Sequence, residues 1–114
     1  MTLGTIVLTP FPFTDLTSSK LRPAVIISPV IPNDADVIVA FISSIMSSNT
    51  SICDYVLSDT HQDFRLSGLK KSSIFKMNKL ATLDKHIFVG QIGEVSPNIL
   101  KDLQAKLKIA LDLA

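Results

Sequence analysis

The run Thr14-Asp15-Leu16-Thr17-Ser18-Ser19-Lys20-Leu21-Arg22-Pro23 gathers hydroxyls, one carboxylate and two cations just ahead of an apolar segment. That set suits a phosphate group. An arginine presents a planar fork that donates paired hydrogen bonds, and its charge does not titrate away. Pro23 disfavours helical geometry at Arg22 and keeps that residue extended, which roots its guanidinium at the start of a strand. Spacing alone leaves Arg22 a second role, as a structural partner of Asp15.

Other chemistries find little support. The chain has no GxGxxG, Walker A, HExxH or CxxC pattern, so neither a nucleotide cradle nor a built metal site is expected. His61 and His86 lie far apart and fall in no metal-ligand spacing. Cys53 is the only cysteine; it can form no internal disulfide, which points to a reducing, cytoplasmic setting. No metal and no cofactor are expected.

Composition bounds the class. The 114 residues are 46% hydrophobic and 18% charged, with a net charge of +1. These values predict one packed domain over 1–114 and exclude disorder. The runs VIVAFI at 37–42 and AVII at 24–27 fall far short of the roughly 18 residues that would cross a membrane. A general polycation is also excluded, but the charges are segregated. Asp34 to Asp63 holds five acidic residues and no basic one, whereas Arg65 to Lys85 holds six basic residues and one acidic. The basic segment is either a phosphate-attracting face or a solvated lysine edge that deters strand aggregation.

The elements that must position these groups read as short strands followed by one helix. Thr5 to Leu8, Ala24 to Val30, Val37 to Ile42, Asp54 to Leu57, Ser73 to Leu83 and His86 to Val95 are apolar or β-branched and separated by turn formers. The prolines beginning at Pro10 predict a loop over Pro12 to Lys20. Gly90 and Gly93 mark bends or bulges, and Ser28 is expected to cap backbone groups ahead of Pro29. Ser96-Pro97 is a helix start, and Ile99, Leu100, Leu103, Leu107 and Leu111 form one apolar stripe with Asp102 and Lys106 outside. The predicted class is mainly β, a small coiled barrel with a C-terminal α-helix across it.

Three blocks carry a resemblance. GTIVLTPFPFTDLTSSKLRPAVIIS at 4–28, VIVAFIS at 37–43 and GLKKSSIFKMNKLATLDKHIFVGQIGEVS at 68–96 are similar, in order, to the opening, the second buried strand and the closing segment of the MazF/PemK toxins. The resemblance implies an SH3-like barrel of the CcdB/MazF type, a homodimer, and a toxin neutralised by a cognate antitoxin. It also implies a metal-independent endoribonuclease that cuts single-stranded RNA through its own 2′-OH, leaving a 2′,3′-cyclic phosphate and a 5′-hydroxyl.

By position, Arg22 matches the family's catalytic arginine and Ser43 its catalytic Thr/Ser. Under that reading Lys20, Thr17, Ser18 and Ser19 hold flanking RNA, with Phe11, Phe13 and Phe64 as candidates to stack on bases. Arginine is a poor base, so Asp15 is the nearest candidate proton acceptor, with Asp84 behind it. Some relatives carry an arginine where this chain has Ala81, which leaves Arg22 alone or with a lysine such as Lys79. A CcdB-like gyrase poison and an inactive RNA- or antitoxin-binding member are the alternatives on the same fold; a binding poison has no need of the Arg22–Ser43 pair.

Overall fold

The computed structural model describes residues 1–10, 20–44 and 50–114. Within these, six strands precede one helix: β1 (Thr5–Pro10), β2 (Leu21–Ile26), β3 (Asp36–Ser43), β4 (Asp54–Leu57), β5 (Ser73–Asp84), β6 (Gly90–Glu94) and α1 (Pro97–Ala110). All neighbours are antiparallel, in the order β4-β5-β3-β2-β1-β6. The mainly β, coiled-sheet architecture with a closing helix is the one expected. The predicted loop over Pro12 to Lys20 lies, Lys20 apart, outside the described residues.

Strand alternation sorts the apolar side chains onto two faces. Ile6, Val25, Ala40, Ile42, Leu57, Phe75 and Met77 make the inner face, against which α1 lays Ile99 and Leu103. Val7, Ala24, Ile26, Val37, Val39 and Phe41 make a second cluster on the outer face, flanked by Val30, Leu83 and Phe88. Burial on both faces explains why β2 and β3 read as continuous apolar runs.

Several boundaries differ from the sequence expectation. Strand β2 starts earlier and stops at Ile26, because Ser28 Oγ accepts from Ile38 N–H at 2.9 Å and turns the chain before Pro29. The stretch expected as one strand from His86 to Val95 is a 3₁₀ turn, Lys85–Ile87, followed by the shorter β6. Its cap is Asp84, whose carboxylate accepts from His86 N–H at 2.8 Å. The helix begins as predicted, with Ser96 Oγ accepting from Ile99 N–H at 3.3 Å and Pro97 in its first turn. Leu111, however, lies past the helix end and is half exposed. Lys106 donates to Ile52 O at 3.3 Å, tying α1 to the segment before β4 rather than to Asp102.

The 3₁₀ turn Arg65–Ser67, which follows edge strand β4, packs against the other edge strand, β6. Two glycines allow that approach. Gly68 has φ 71°, and a Cβ there would collide with the Ile92 carbonyl; a Cβ on Gly93 would collide with the Ser67 carbonyl. Gly93→Ala is therefore expected to destabilise by about 1–3 kcal/mol, the usual range for overpacking against backbone. Since m is about 1–3 kcal/mol per M in urea, the midpoint should fall by roughly 1 M.

Candidate active site

Arg22 sits on β2 between two partners. On one side the β1–β2 ladder sets Thr9 against Arg22; on the other, β2 and β3 pair as Ile26↔Val39, Val25↔Ala40 and Ala24↔Phe41. The ladder with β3 stops there, one residue short of Pro23, which has no N–H to offer it. Carried two residues further, the same register sets Arg22 level with Ser43. Both residues are half-buried and share the outer face with Ala24 and Phe41. By that register a cation and an alcohol fall at facing positions on adjacent strand ends, past the last paired residues.

Alternation sends the intervening residues to the opposite face. There a cavity of about 370 Å³ opens, walled by Leu8, Pro23, Ile42, Leu69 and Ile92, with Arg22, Ser44, Lys70 and Lys71 among its other lining residues. Ser73 also lines it, but its hydroxyl is already committed to Lys71 O at 2.7 Å. The described lining residues include three cations and no carboxylate. An anion would be drawn to this end of the barrel. Lys20 is exposed at the entry to β2.

The remaining candidates fare differently. Asp15, Thr17, Ser18, Ser19, Phe11, Phe13 and Met46 lie outside the described residues. Phe64 packs against the inner cluster and is a core residue, not a base-stacking one. Asp84 pairs with Asp36 at the far end of β3, whereas Ser43 pairs with Ile74. Seven residues at about 3.3 Å each separate the two sites by roughly 23 Å, so Asp84 cannot serve as the proton acceptor. Ala81 faces Val39 beside the outer cluster. Lys79 is exposed, in the bulge between the pairs Ala40↔Leu80 and Phe41↔Lys76. His61 is a loop residue whose Nδ1 accepts from Asp63 N–H at 2.9 Å.

Asp84 also has the wrong basicity. The backbone N–H of His86, and then its ring, hold the Asp84 carboxyl below its ordinary value. A depressed carboxyl favours the folded state above its unfolded pKa, and the contribution is lost as pH falls through the folded value. His86→Ala is expected to raise the Asp84 midpoint only part of the way back, because the backbone N–H remains; carboxyl NMR titration reads this directly.

Sequence reasoning missed the cavity. Its walls come from β1, β2, β3, β6 and the turn before β5, and no single stretch announces it. The GLKK segment at 68–71 was legible as part of the basic stretch from Arg65 to Lys85 and of a block of similarity, but not as a cavity wall.

Residues 2–111 match the model of the family described as "PemK-like, MazF-like toxin of type II toxin-antitoxin system". A search of curated proteins finds no match. Among solved structures, an "endoribonuclease in complex with its cognate antitoxin from Mycobacterial species" superposes with a TM-score of 0.77 at 17% identity, over 100% of this chain and 97% of that one. The Mycobacterium tuberculosis toxin MazF-mt6 gives 0.75 at 19% identity, over 96% and 98%. A MazE-MazF structure from Deinococcus radiodurans gives 0.72 at 19%, over 100% and 97%. At such identities these likenesses establish the fold.

Proposed function

The chain belongs to the PemK-like, MazF-like toxins of type II toxin–antitoxin systems, and from that premise we propose that it is a metal-independent endoribonuclease acting on single-stranded RNA in the cytoplasm. The observation that supports the reading is the β2–β3 register, which continued past Ala24↔Phe41 sets Arg22 opposite Ser43, beside a cavity lined by Arg22, Lys70 and Lys71. It works as a homodimer with two symmetric grooves, and a cognate antitoxin neutralises it by laying an acidic, disordered tail along the same groove.

The chemistry follows from the pair. The ribose 2′-oxygen attacks the adjacent phosphorus and gives up its proton to a base, for which Asp15 is the candidate. The P–O5′ bond breaks, the 5′-oxygen is protonated, and a 2′,3′-cyclic phosphate remains. Negative charge grows on the non-bridging oxygens during attack. A guanidinium fixed at Arg22 and a hydroxyl at Ser43 stabilise that charge more than they stabilise the ground state, which is what lowers a barrier. Lys20, Thr17, Ser18, Ser19 and Phe13 hold the flanking nucleotides.

End-group analysis of cut single-stranded RNA tests the proposal. Fragments carrying 5′-hydroxyl and 2′,3′-cyclic phosphate ends are expected, in equal yield with and without EDTA. Loss of cutting in EDTA overturns metal independence. Intact RNA together with arrested DNA gyrase overturns the ribonuclease reading in favour of a CcdB-like poison.

A further inference from the structure

We propose that the cavity beside Arg22 receives the base of a nucleotide adjoining the scissile phosphate, and that it selects a keto base, uracil or guanine. This rests on the ribonuclease reading. The cavity measures about 370 Å³, within the roughly 300–1,000 Å³ typical of small-molecule sites. Its aliphatic walls, Leu8, Pro23, Ile42, Leu69 and Ile92, offer a flat heterocycle burial without an aromatic partner.

Position ties the cavity to the chemistry. Pro23 follows Arg22 in β2 and Ile42 precedes Ser43 in β3, successive strand residues point to opposite faces, and both Pro23 and Ile42 line the cavity. A phosphate gripped on the outer face at 22 and 43 therefore has the cavity immediately over the strand ends, where the ladder has stopped at Ala24. A nucleotide can bend across that edge with its phosphate on one side and its base on the other.

The polar lining sets the preference. With the Ser73 hydroxyl donating to Lys71 O and Arg22 assigned to the phosphate, the polar side chains that face a base edge among the described lining residues are Ser44, Lys70 and Lys71. Lysines only donate hydrogen bonds. They match the carbonyl oxygens of uracil or the O6/N7 edge of guanine, and they oppose the exocyclic amine of adenine or cytosine.

The test sequences the 5′ ends of fragments from RNA randomised around the cut, using the parent protein, Lys71→Ala and Leu69→Phe. The parent is expected to favour uracil or guanine at one position next to the cut by about tenfold or more, as a good base contact allows. Lys71→Ala weakens that preference, and Leu69→Phe, which fills the cavity, removes it. A parent without a keto preference on either side of the cut, or variants that keep the parental preference, overturns the assignment while the ribonuclease reading stands.

Binding supplies a measurement that needs neither cleavage nor a folded variant. Uridine or guanosine 3′-monophosphate is expected to shift the amide resonances of Leu69, Lys70 and Ile92 in the parent, with the adenosine and cytidine nucleotides weaker. Shifts confined to other regions overturn the cavity assignment. Shifts at these residues in a protein that cuts no RNA overturn the ribonuclease reading and, with it, the assignment to a nucleotide beside a scissile phosphate.

Discussion

Arg22→Ala is expected to lower the rate of RNA cleavage by about 10²–10³, the usual cost of removing one donor aimed at developing charge. The loss should fall on kcat more than on KM, because the guanidinium meets charge that grows only during attack. Arg22→Lys should recover little, since an ammonium keeps the charge but lacks the fork that binds two oxygens at once. In the proposed mechanism Ser43 meets the same phosphate, so the Arg22→Ala/Ser43→Ala double variant should lose less than the product of the single losses. A 2′-deoxy sugar at the cut site should abolish cleavage by the parent. Parental rates from Arg22→Ala would overturn the assigned mechanism, and so would cutting of the 2′-deoxy substrate.

Phe75→Ala should have the largest effect on stability, about 3–5 kcal/mol, measured by urea unfolding. The ring is fully buried on the inner face, pairs across β5 with Ile42 on one side and Tyr55 on the other, and meets the Tyr55 ring edge-on at 6.0 Å and 78°. Strands β3, β5 and β4 are the neighbours that would have to collapse into the space. None can do so without shifting the ladder that sets Ser43 against Ile74. Activity of the folded fraction should therefore fall as well. Loss of this ring also uncovers Tyr55, whose hydroxyl is held above its ordinary pKa first by burial and then by the fields of Asp102 and Asp63. The tyrosine titration midpoint should move down in the variant. An unchanged midpoint, or a stability loss under about 1 kcal/mol, would show that Phe75 is not the centre of this core.

Much of the fold was legible because its signals are local. Ser96-Pro97 starts α1, and the stripe at Ile99 and Leu103 buries it, both through contacts within a few residues. The apolar runs of β2 and β3 announced strands covered on both faces. Reading failed where a polar side chain redirected the backbone. Ser28 turns the chain after β2, and Asp84 caps a 3₁₀ turn in what looked like continuous strand. The contact of Lys106 with the Ile52 carbonyl, 54 residues away, left no local signal either.

The site divides in the same way. By itself the sequence determined that Arg22 is extended, since proline acts on the residue before it, and resemblance to a family singled out Ser43. It could not give the β2–β3 register that, continued past Ala24↔Phe41, sets the two opposite each other, because a register is fixed by which face of each strand is buried. The same lack of long-range information kept Asp84 a candidate until strand pairing placed it at the far end of β3. The cavity is the clearest case. Among the described residues, aliphatic walls from four strands and a turn meet only when Gly68 and Gly93 let that turn approach β6. Periodicity reports which side of an element is apolar; which elements meet is decided by closure of the chain over long separations.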